Sequence, residues 1–399
     1  MDIKARDIYL NKLKDAKDTP FIKIISGVRR CGKSTLLGLF ESYLLSAGIE
    51  REKIIRFDMD SRETKKKVSG WEDMYDLVAG RMGDGRYYVL LDEVQNVKDW
   101  ESALISMYTD LNADIYVTGS NAMMLSPDLG TKLVGRFIEI QMLPLSFREF
   151  LDFTDAEGTD SSFRDYLRSG GFPAAVMLHN KPDLQRTVLD GIYNTVLSLD
   201  IGKKNDLRDN ALLKDLAEYL IENVGNTVSA KSISDFLSSN GRKNGKNTIE
   251  NYLLMMERAF LLYRVRRYDI KGKMRLKTLG KYYVVDTGFR GLMVNDLSAD
   301  TGRLLENVVY LELIRRGFEV SIGKAGEYEI DFMAERGNER IYIQVAQTLS
   351  EQSTREREIR SLIGIKDGHP KLVISMDPEI VSDYAGIKNR NIVSWLLEP

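Results

Sequence analysis

Eight consecutive residues near the amino terminus have the types and spacing of a phosphate-binding loop. The string G-x-x-x-x-G-K-S contains Gly27, Gly32, Lys33 and Ser34, and it lies between an apolar segment, 21–26, and a segment with helical spacing. Glycines let backbone N–H groups turn towards phosphate oxygens, and the start of the helix adds positive potential. Lys33 is expected to reach the β- and γ-phosphates, and the Ser34 hydroxyl to ligate Mg²⁺. The flanking strand and helix argue against a chance glycine turn, so the string predicts an ATP–Mg²⁺ site.

The residues predicted to hold the nucleotide are the loop and the threonine after it, which is expected at the α-phosphate. They are Gly27, Val28, Arg29, Arg30, Cys31, Gly32, Lys33, Ser34 and Thr35.

Two carboxylates follow a second apolar run. Residues 87–91 suit a strand buried on both faces, and Asp92 and Glu93 come directly after them. Ligands of parallel sheets bind at the carboxyl ends of the strands. Asp92 is therefore predicted to hold Mg²⁺, directly or through water, and Glu93 to polarise the attacking water. A strand end with solvated acids is the alternative, and the phosphate-binding loop argues against it.

A third apolar run, 115–119, ends in Ser120 and Asn121. A polar side chain at the tip of this strand can orient the water or touch the γ-phosphate. Asn121 is the first candidate for this role and Ser120 the second. A capped turn is the alternative explanation for the same residues.

Composition limits the other classes of function. The chain has 399 residues, enough for two or three domains, and its formal net charge of -2 predicts no partner. The single cysteine cannot form a disulfide within the chain or a cysteine-based metal site, and two histidines make a structural zinc site improbable. The amino terminus is charged, and no run approaches the length of a membrane span. We expect a cytoplasmic protein without a membrane partner.

Strands that alternate with helices over the first third predict an α/β fold with a parallel sheet and helices on both faces. The four motifs that identify a family are 92–95 (DEVQ), 118–121 (TGSN), 135–137 (GRF) and 143–147 (LPLSF). Together they resemble prokaryotic AAA+-type ATPases of the archaeal-ATPase-like clade, which end in a domain of unknown function called DUF4143. The resemblance covers nearly the whole chain. It implies an ASCE-type sheet, with an extra strand between the strand of the phosphate-binding loop and the strand of Asp92.

The resemblance also implies the domain order and the assembly. We expect an ATPase domain at 1–146, a helical lid or linker at 147–205, a winged-helix-like domain at 206–290, and a PD-(D/E)XK nuclease-like domain at 291–399. Arg136 matches an arginine of the family that reaches the γ-phosphate of a neighbouring subunit, although it could instead pair with a carboxylate at the sheet edge. A homo-oligomeric ring, such as a hexamer, would follow.

Cations cluster in the winged-helix-like region, and they are interleaved with tyrosines. In a nearly neutral protein such a local cluster is typical of phosphate binding, so duplex or branched DNA is the predicted partner. A solvated surface, or a winged helix used for protein contacts, is the alternative. The residues predicted to contact DNA are Lys246, Arg264, Arg266, Arg267, Lys271 and Lys273.

The resemblance to the nuclease fold places Glu306, Asp331 and Gln344 in its metal-binding positions. Gln344 stands where that fold has a second acid, and Ala346 stands where it has a lysine. Because such a site works by electrostatics, we expect a degenerate nuclease, unless a lysine from elsewhere, of which Lys324 is the nearest in sequence, enters the site. The first hypothesis for function is thus a DNA-acting AAA+ ATPase. A nucleotide-gated signalling switch and an ATP-licensed nuclease are the alternatives.

Overall fold

The computed structural model describes residues 4–121, 133, 135–203, 205, 207, 209–239, 245–294, 301–378 and 386–398, without the side chains of 276–279. The chain forms two compact units. The first contains Met1–Met142 with Arg258–Phe260, and the second contains Leu143–Glu257 with Leu261–Pro399. Among the described residues, no helix has the length and apolar character that crossing a bilayer requires.

The first unit is built on a five-stranded parallel sheet. Its strands are β1 Ile22–Ser26, β2 Ile54–Asp58, β3 Tyr87–Asp92, β4 Ala113–Gly119 and β5 Phe137–Gln141. Their order is β2-β3-β4-β1-β5, and every neighbouring pair is parallel. β4 lies between β1 and β3, where the family resemblance implied an extra strand. The carboxyl ends of β1, β3 and β4 therefore meet at one edge of the sheet.

Helices accompany this sheet, and two of its inner strands, β1 and β3, are buried along their whole length, as their apolar sequences require. A core forms from Ile24, Val89, Leu91, Val117 and their neighbours. The helices are α1 Asp7–Asp15, α2 Lys33–Ser46, α3 Arg62–Lys67, α4 Trp71–Ala79 and α5 Trp100–Asp110. Short 3₁₀ turns occupy Arg51–Lys53 and Val94–Asn96.

The second unit begins with helices. Ser146 and Glu149 form a capping box at the start of the first of them, and Pro173 and Pro182 occupy the first turns of two others. The helices up to the first strand are α6 Phe147–Thr154, α7 Asp160–Ser169, α8 Pro173–Val176, α9 Pro182–Thr195, a π-helix Val196–Lys203, and α10 Asn210–Glu222. Later helices are α11 Ala230–Ser239, α12 Lys246–Arg258, α13 Gly288–Met293, α14 Thr301–Arg315, α15 Gln352–Ile363 and α16 Ile392–Leu396.

An eight-stranded mixed sheet organises the rest of this unit. Its strands are β6 Thr227–Val228, β7 Leu262–Asp269, β8 Met274–Val284, β9 Glu319–Ala325, β10 Tyr328–Arg336, β11 Glu339–Val345, β12 Lys371–Ser375 and β13 Ile387–Asn391. The order is β13-β12-β11-β10-β9-β7-β8-β6. β7 pairs in parallel with β9 and antiparallel with β8. One sheet therefore continues through the two regions, 206–290 and 291–399, that we expected to be separate domains.

Candidate nucleotide site and a buried charge cluster

The loop after β1 has a backbone that only glycine can follow at its first position. Gly27 has a φ of 148°, and a Cβ there would lie 2.1 Å from the Met142 carbonyl oxygen. Gly32, the residue before α2, has a φ of 109°. The two glycines of the motif therefore set the curvature of the loop, and Ser34 and Thr35 are exposed at the start of α2.

Lys33 lies across the loop with its side chain buried. Its ammonium donates to the carbonyl oxygens of Gly27 at 2.9 Å and Val28 at 3.1 Å. The same Nζ is 3.9 Å from Oε1 of Glu93. The sheet edge therefore brings the lysine of the loop and the candidate catalytic glutamate together.

Asp92 ends β3 beside the hydroxyl groups of Ser34 and Thr118. Burial raises the pKa of Asp92, although hydrogen bonds from both hydroxyls act in the opposite direction. Hydroxyl and carboxylate oxygens are the ligands that Mg²⁺ prefers, so the pair of Ser34 and Asp92 fits this ion.

Glu93 has a left-handed backbone, with a φ of 53°, which is uncommon outside glycine. The Thr118 hydroxyl donates to Asp92 and accepts the backbone N–H of Glu93 at 2.9 Å. Ser120 donates to Oε2 of Glu93 at 3.1 Å, and Gln95 donates to the same oxygen. Asn121 follows Ser120 at this edge and is partly exposed. Polar side chains that follow two neighbouring strands thus fix the Glu93 carboxylate.

Sequence reasoning missed Arg6 in this site. Arg6 precedes α1, is buried, and donates from Nη1 to the Cys31 carbonyl oxygen at 2.9 Å. Cys31 is buried too, and burial raises the pKa of its thiol. No sequence spacing links Arg6 to the loop, so only the packing of α1 reveals this contact.

Comparison with known proteins identifies the family. An uncharacterised protein of Haemophilus influenzae is 38% identical over 400 residues, covering 99% of this chain and 98% of its own. The chain belongs to the family of that protein. Residues 19–151 match the AAA_14 family of AAA domains, so this part of the chain is similar to an AAA domain. The family resemblance implied DUF4143 for the C-terminal region. Residues 160–300 match DUF8612 instead, a domain of unknown function.

More distant similarities link the chain to an archaeal protein and to two solved structures. MJ1544, an uncharacterised protein of Methanocaldococcus jannaschii, is 29% identical, covering 85% of this chain and 77% of its own. A Walker-type ATPase of Pyrococcus abyssi aligns with a TM-score of 0.48 and 16% identity, over 73% of this chain and 97% of its own. AMPPCP-bound DnaA from Aquifex aeolicus has a TM-score of 0.29 and 16% identity, over 63% and 86%. TM-scores this low support no argument about function.

Arg136 of the AAA domain lies at the amino ends of the strands, whereas the loop lies at their carboxyl ends. Arg136 immediately precedes β5, whose Phe137 pairs with Ile22 at the start of β1. At about 3.3 Å per residue, the five-residue strand β1 separates its amino end from its carboxyl end by roughly 17 Å. The exposed Arg136 guanidinium lies over the Tyr108 ring, 5.7 Å from its centroid. Arg136 is thus directed away from the loop of its own chain.

The six candidate DNA-binding cations do not share one environment. Arg264 and Arg266 of β7 are exposed, as are Lys271 and Lys273 in the turn before β8. Arg267, by contrast, pairs with Glu329.

Lys246 of α12 pairs with Glu250 at 3.6 Å. Burial raises the pKa of Glu257, while Arg264 and Arg266 act to lower it. Four of the six cations are therefore exposed at the β7–β8 hairpin, and one acid, Glu257, interacts electrostatically with two of them.

The three residues of the nuclease-like site come together, and a lysine lies among them. Asp331 donates its backbone N–H to Oε1 of Gln344 at 3.2 Å. Lys281 of β8 places its Nζ 3.0 Å from Glu306 and 3.3 Å from Asp331. Lys281, rather than Lys324, is the lysine that enters the cluster. A cavity of about 460 Å³ beside these residues is also lined by Ala346 and Glu358.

Proposed function

We propose that this AAA+ protein hydrolyses ATP with Mg²⁺ and acts on DNA as a homo-oligomer. The observation that carries the ATPase proposal is that the loop residues and the two acids after β3 meet at the carboxyl ends of the strands. Lys33 lies 3.9 Å from Glu93, and Ser34 bonds to Asp92. Phosphoryl transfer needs this kind of positioning and charge stabilisation more than covalent chemistry.

Each residue at the edge has a distinct role in this proposal. The loop N–H groups and Lys33 bind the phosphates, and Thr35 contacts the α-phosphate. Ser34 and Asp92 would hold Mg²⁺, which neutralises phosphate charge when bound. Glu93, fixed by Thr118 and Ser120, orients and polarises the attacking water. Asn121, next to Ser120, is proposed to contact the γ-phosphate or the water.

DNA is the proposed partner of the second unit. The order α10, β6, α11, α12, β7, β8, with β6 and β7 both antiparallel to β8, supports a winged helix. The exposed cations Arg264, Arg266, Lys271 and Lys273 support phosphate contacts. Lys246 and Arg267 have ion-pair partners, so we expect a smaller contribution from them.

Two measurements test the two halves of the proposal. Wild-type protein should release phosphate from ATP, and Lys33→Ala should not, because the loop then lacks the ammonium that holds phosphate charge. DNA affinity should fall steeply with salt, with a slope of about −0.9 per phosphate neutralised. Changing Arg264, Arg266 and Lys271 to alanine should weaken binding to all DNA sequences alike and flatten that slope.

A matched control replaces three exposed cations of the first unit, Arg62, Lys66 and Lys98, by alanine. This control should leave the salt slope unchanged. An equal loss of binding in both triple variants would contradict the assignment of the hairpin.

A nucleotide-gated switch that senses a protein partner is the second candidate. It is favoured by the acids near the cations, since Glu250, Glu257 and Glu329 reduce the positive charge available for phosphate. Absence of DNA binding at low salt, with ATP turnover intact, would select this function.

A further inference from the structure

The ammonium of Lys281 is surrounded by three carboxylates in the second unit. Its Nζ is 3.0 Å from Oε2 of Glu306, 3.3 Å from Oε1 of Glu329 and 3.3 Å from Oδ1 of Asp331. The side chain of Lys281 is only 7% exposed. An ammonium has three N–H donors, and here each has an acidic acceptor.

Three separate elements build this arrangement. Lys281 comes from β8 and Glu306 from α14. Glu329 and Asp331 are two residues apart on β10, so their side chains share one face of the strand. Two further donors hold the carboxylates in place. The Tyr283 hydroxyl donates to Glu306 at 3.2 Å, and the Val345 N–H donates to Asp331 at 2.9 Å.

The cluster balances its charge with protein groups. Burial and the neighbouring Asp331 raise the pKa of Glu306. Burial works against a charged Lys281, but Asp331, Glu306 and Glu329 together raise the pKa of its ammonium. Lys281 thus stays charged. Arg267 adds a second cation at Glu329.

We propose that Lys281 is a built-in cation, which occupies the position that a divalent metal ion would take among Glu306, Glu329 and Asp331. The cluster then holds together without metal, and its carboxylates are not free to bind one. The inference does not depend on ATP hydrolysis or DNA binding.

The energetics favour the ammonium over a metal ion in the intact chain. A divalent ion would need carboxylate oxygens at about 2.0–2.6 Å, and these oxygens already bond to Lys281. Displacing Lys281 would leave a buried ammonium without its partners, and breaking a buried ion pair is strongly unfavourable. Removing Lys281 should have the opposite effect, because it leaves convergent carboxylates without a cation.

The test is a titration with Mn²⁺ in the absence of nucleotide, which measures the stoichiometry of tight binding and the midpoint of thermal unfolding. Wild type should show no tight site in the second unit, and Lys281→Met should gain one Mn²⁺ per chain with a higher midpoint. The double variant Lys281→Met/Asp331→Asn should lose that site again. Because the first unit is identical in all proteins, weak binding there cancels in the comparison.

Two outcomes would overturn the proposal. One is tight Mn²⁺ binding by the wild type that disappears in Asp331→Asn, since the metal would then share or displace the lysine. The other is a folded Lys281→Met that gains no site. If Lys281→Met does not fold even with Mn²⁺, the wild-type titration still decides. The charge-matched Lys281→Met/Asp331→Asn should then recover folding, and failure of this variant to fold would also contradict a charge-balancing role.

Discussion

Thr118 connects the two carboxylates at the end of β3, since it donates to Asp92 and accepts the backbone N–H of Glu93. We expect Thr118→Val to lower the ATP turnover rate by about 10- to 100-fold, because hydrogen bonds to charged groups contribute about 1.5–3 kcal/mol. ATP binding should change little. Steady-state phosphate release measures the effect. Thr118→Ser, which keeps the hydroxyl, is the control, and equal turnover in Thr118→Val and wild type would refute this role.

The roles of residues near the loop could be predicted from the sequence because each role is marked by a short local pattern. Glycine spacing marks the loop with Lys33 and Ser34, and the end of an apolar run marks Asp92 and Glu93. Lys281 follows no such pattern. Its partners Glu306 and Asp331 are 25 and 50 positions away, and only the folded sheet brings them together.

At the scale of elements, replacing Gly27 by alanine tests how tightly the loop packs against the residue after β5. Gly27→Ala should lower the free energy of unfolding by about 2 kcal/mol or more and weaken ATP binding, because its Cβ would meet the Met142 carbonyl oxygen. Chemical denaturation measures the first effect. The control is Gly48→Ala, where φ is also positive, at 87°, but the surroundings are open. Equal losses in both variants would show that the close approach is unimportant.

The strands of the first unit were predictable because burial on both faces requires continuous apolar runs, as in β3. The parallel pairing of β7 with β9 was not. Only Leu262 and Val265 of β7 are buried, so its sequence does not mark a strand inside a sheet, and a long intervening segment separates the two strands. Helix α1 was also missed, since its nine residues are mostly charged or polar and only Tyr9, Leu10 and Leu13 are buried.

For the whole molecule, the position of Arg136 predicts catalysis shared between subunits. Arg136 lies at the amino ends of the strands, opposite to the loop of its own chain, so an arginine finger could act only on a neighbouring subunit. Arg136→Ala should lower ATP turnover by roughly 10³-fold. Mixing it with Lys33→Ala chains should restore part of the activity, because each chain supplies what the other lacks. The rate per wild-type chain should also rise with protein concentration.

Two observations would contradict shared catalysis. The first is a monomer whose turnover does not depend on concentration. The second is a mixture of the two variants that is no more active than either variant alone.

The central claim is that Glu93 activates water for ATP hydrolysis while Lys33 holds the phosphates. The most direct measurement is single-turnover hydrolysis of radiolabelled ATP by Glu93→Gln, with nucleotide binding followed in parallel. The account predicts that Glu93→Gln binds ATP as wild type does but hydrolyses it 10²-fold or more slowly, a cost of roughly 3 kcal/mol. Lys33→Ala should fail at the binding step. Hydrolysis by Glu93→Gln at nearly the wild-type rate would contradict the account.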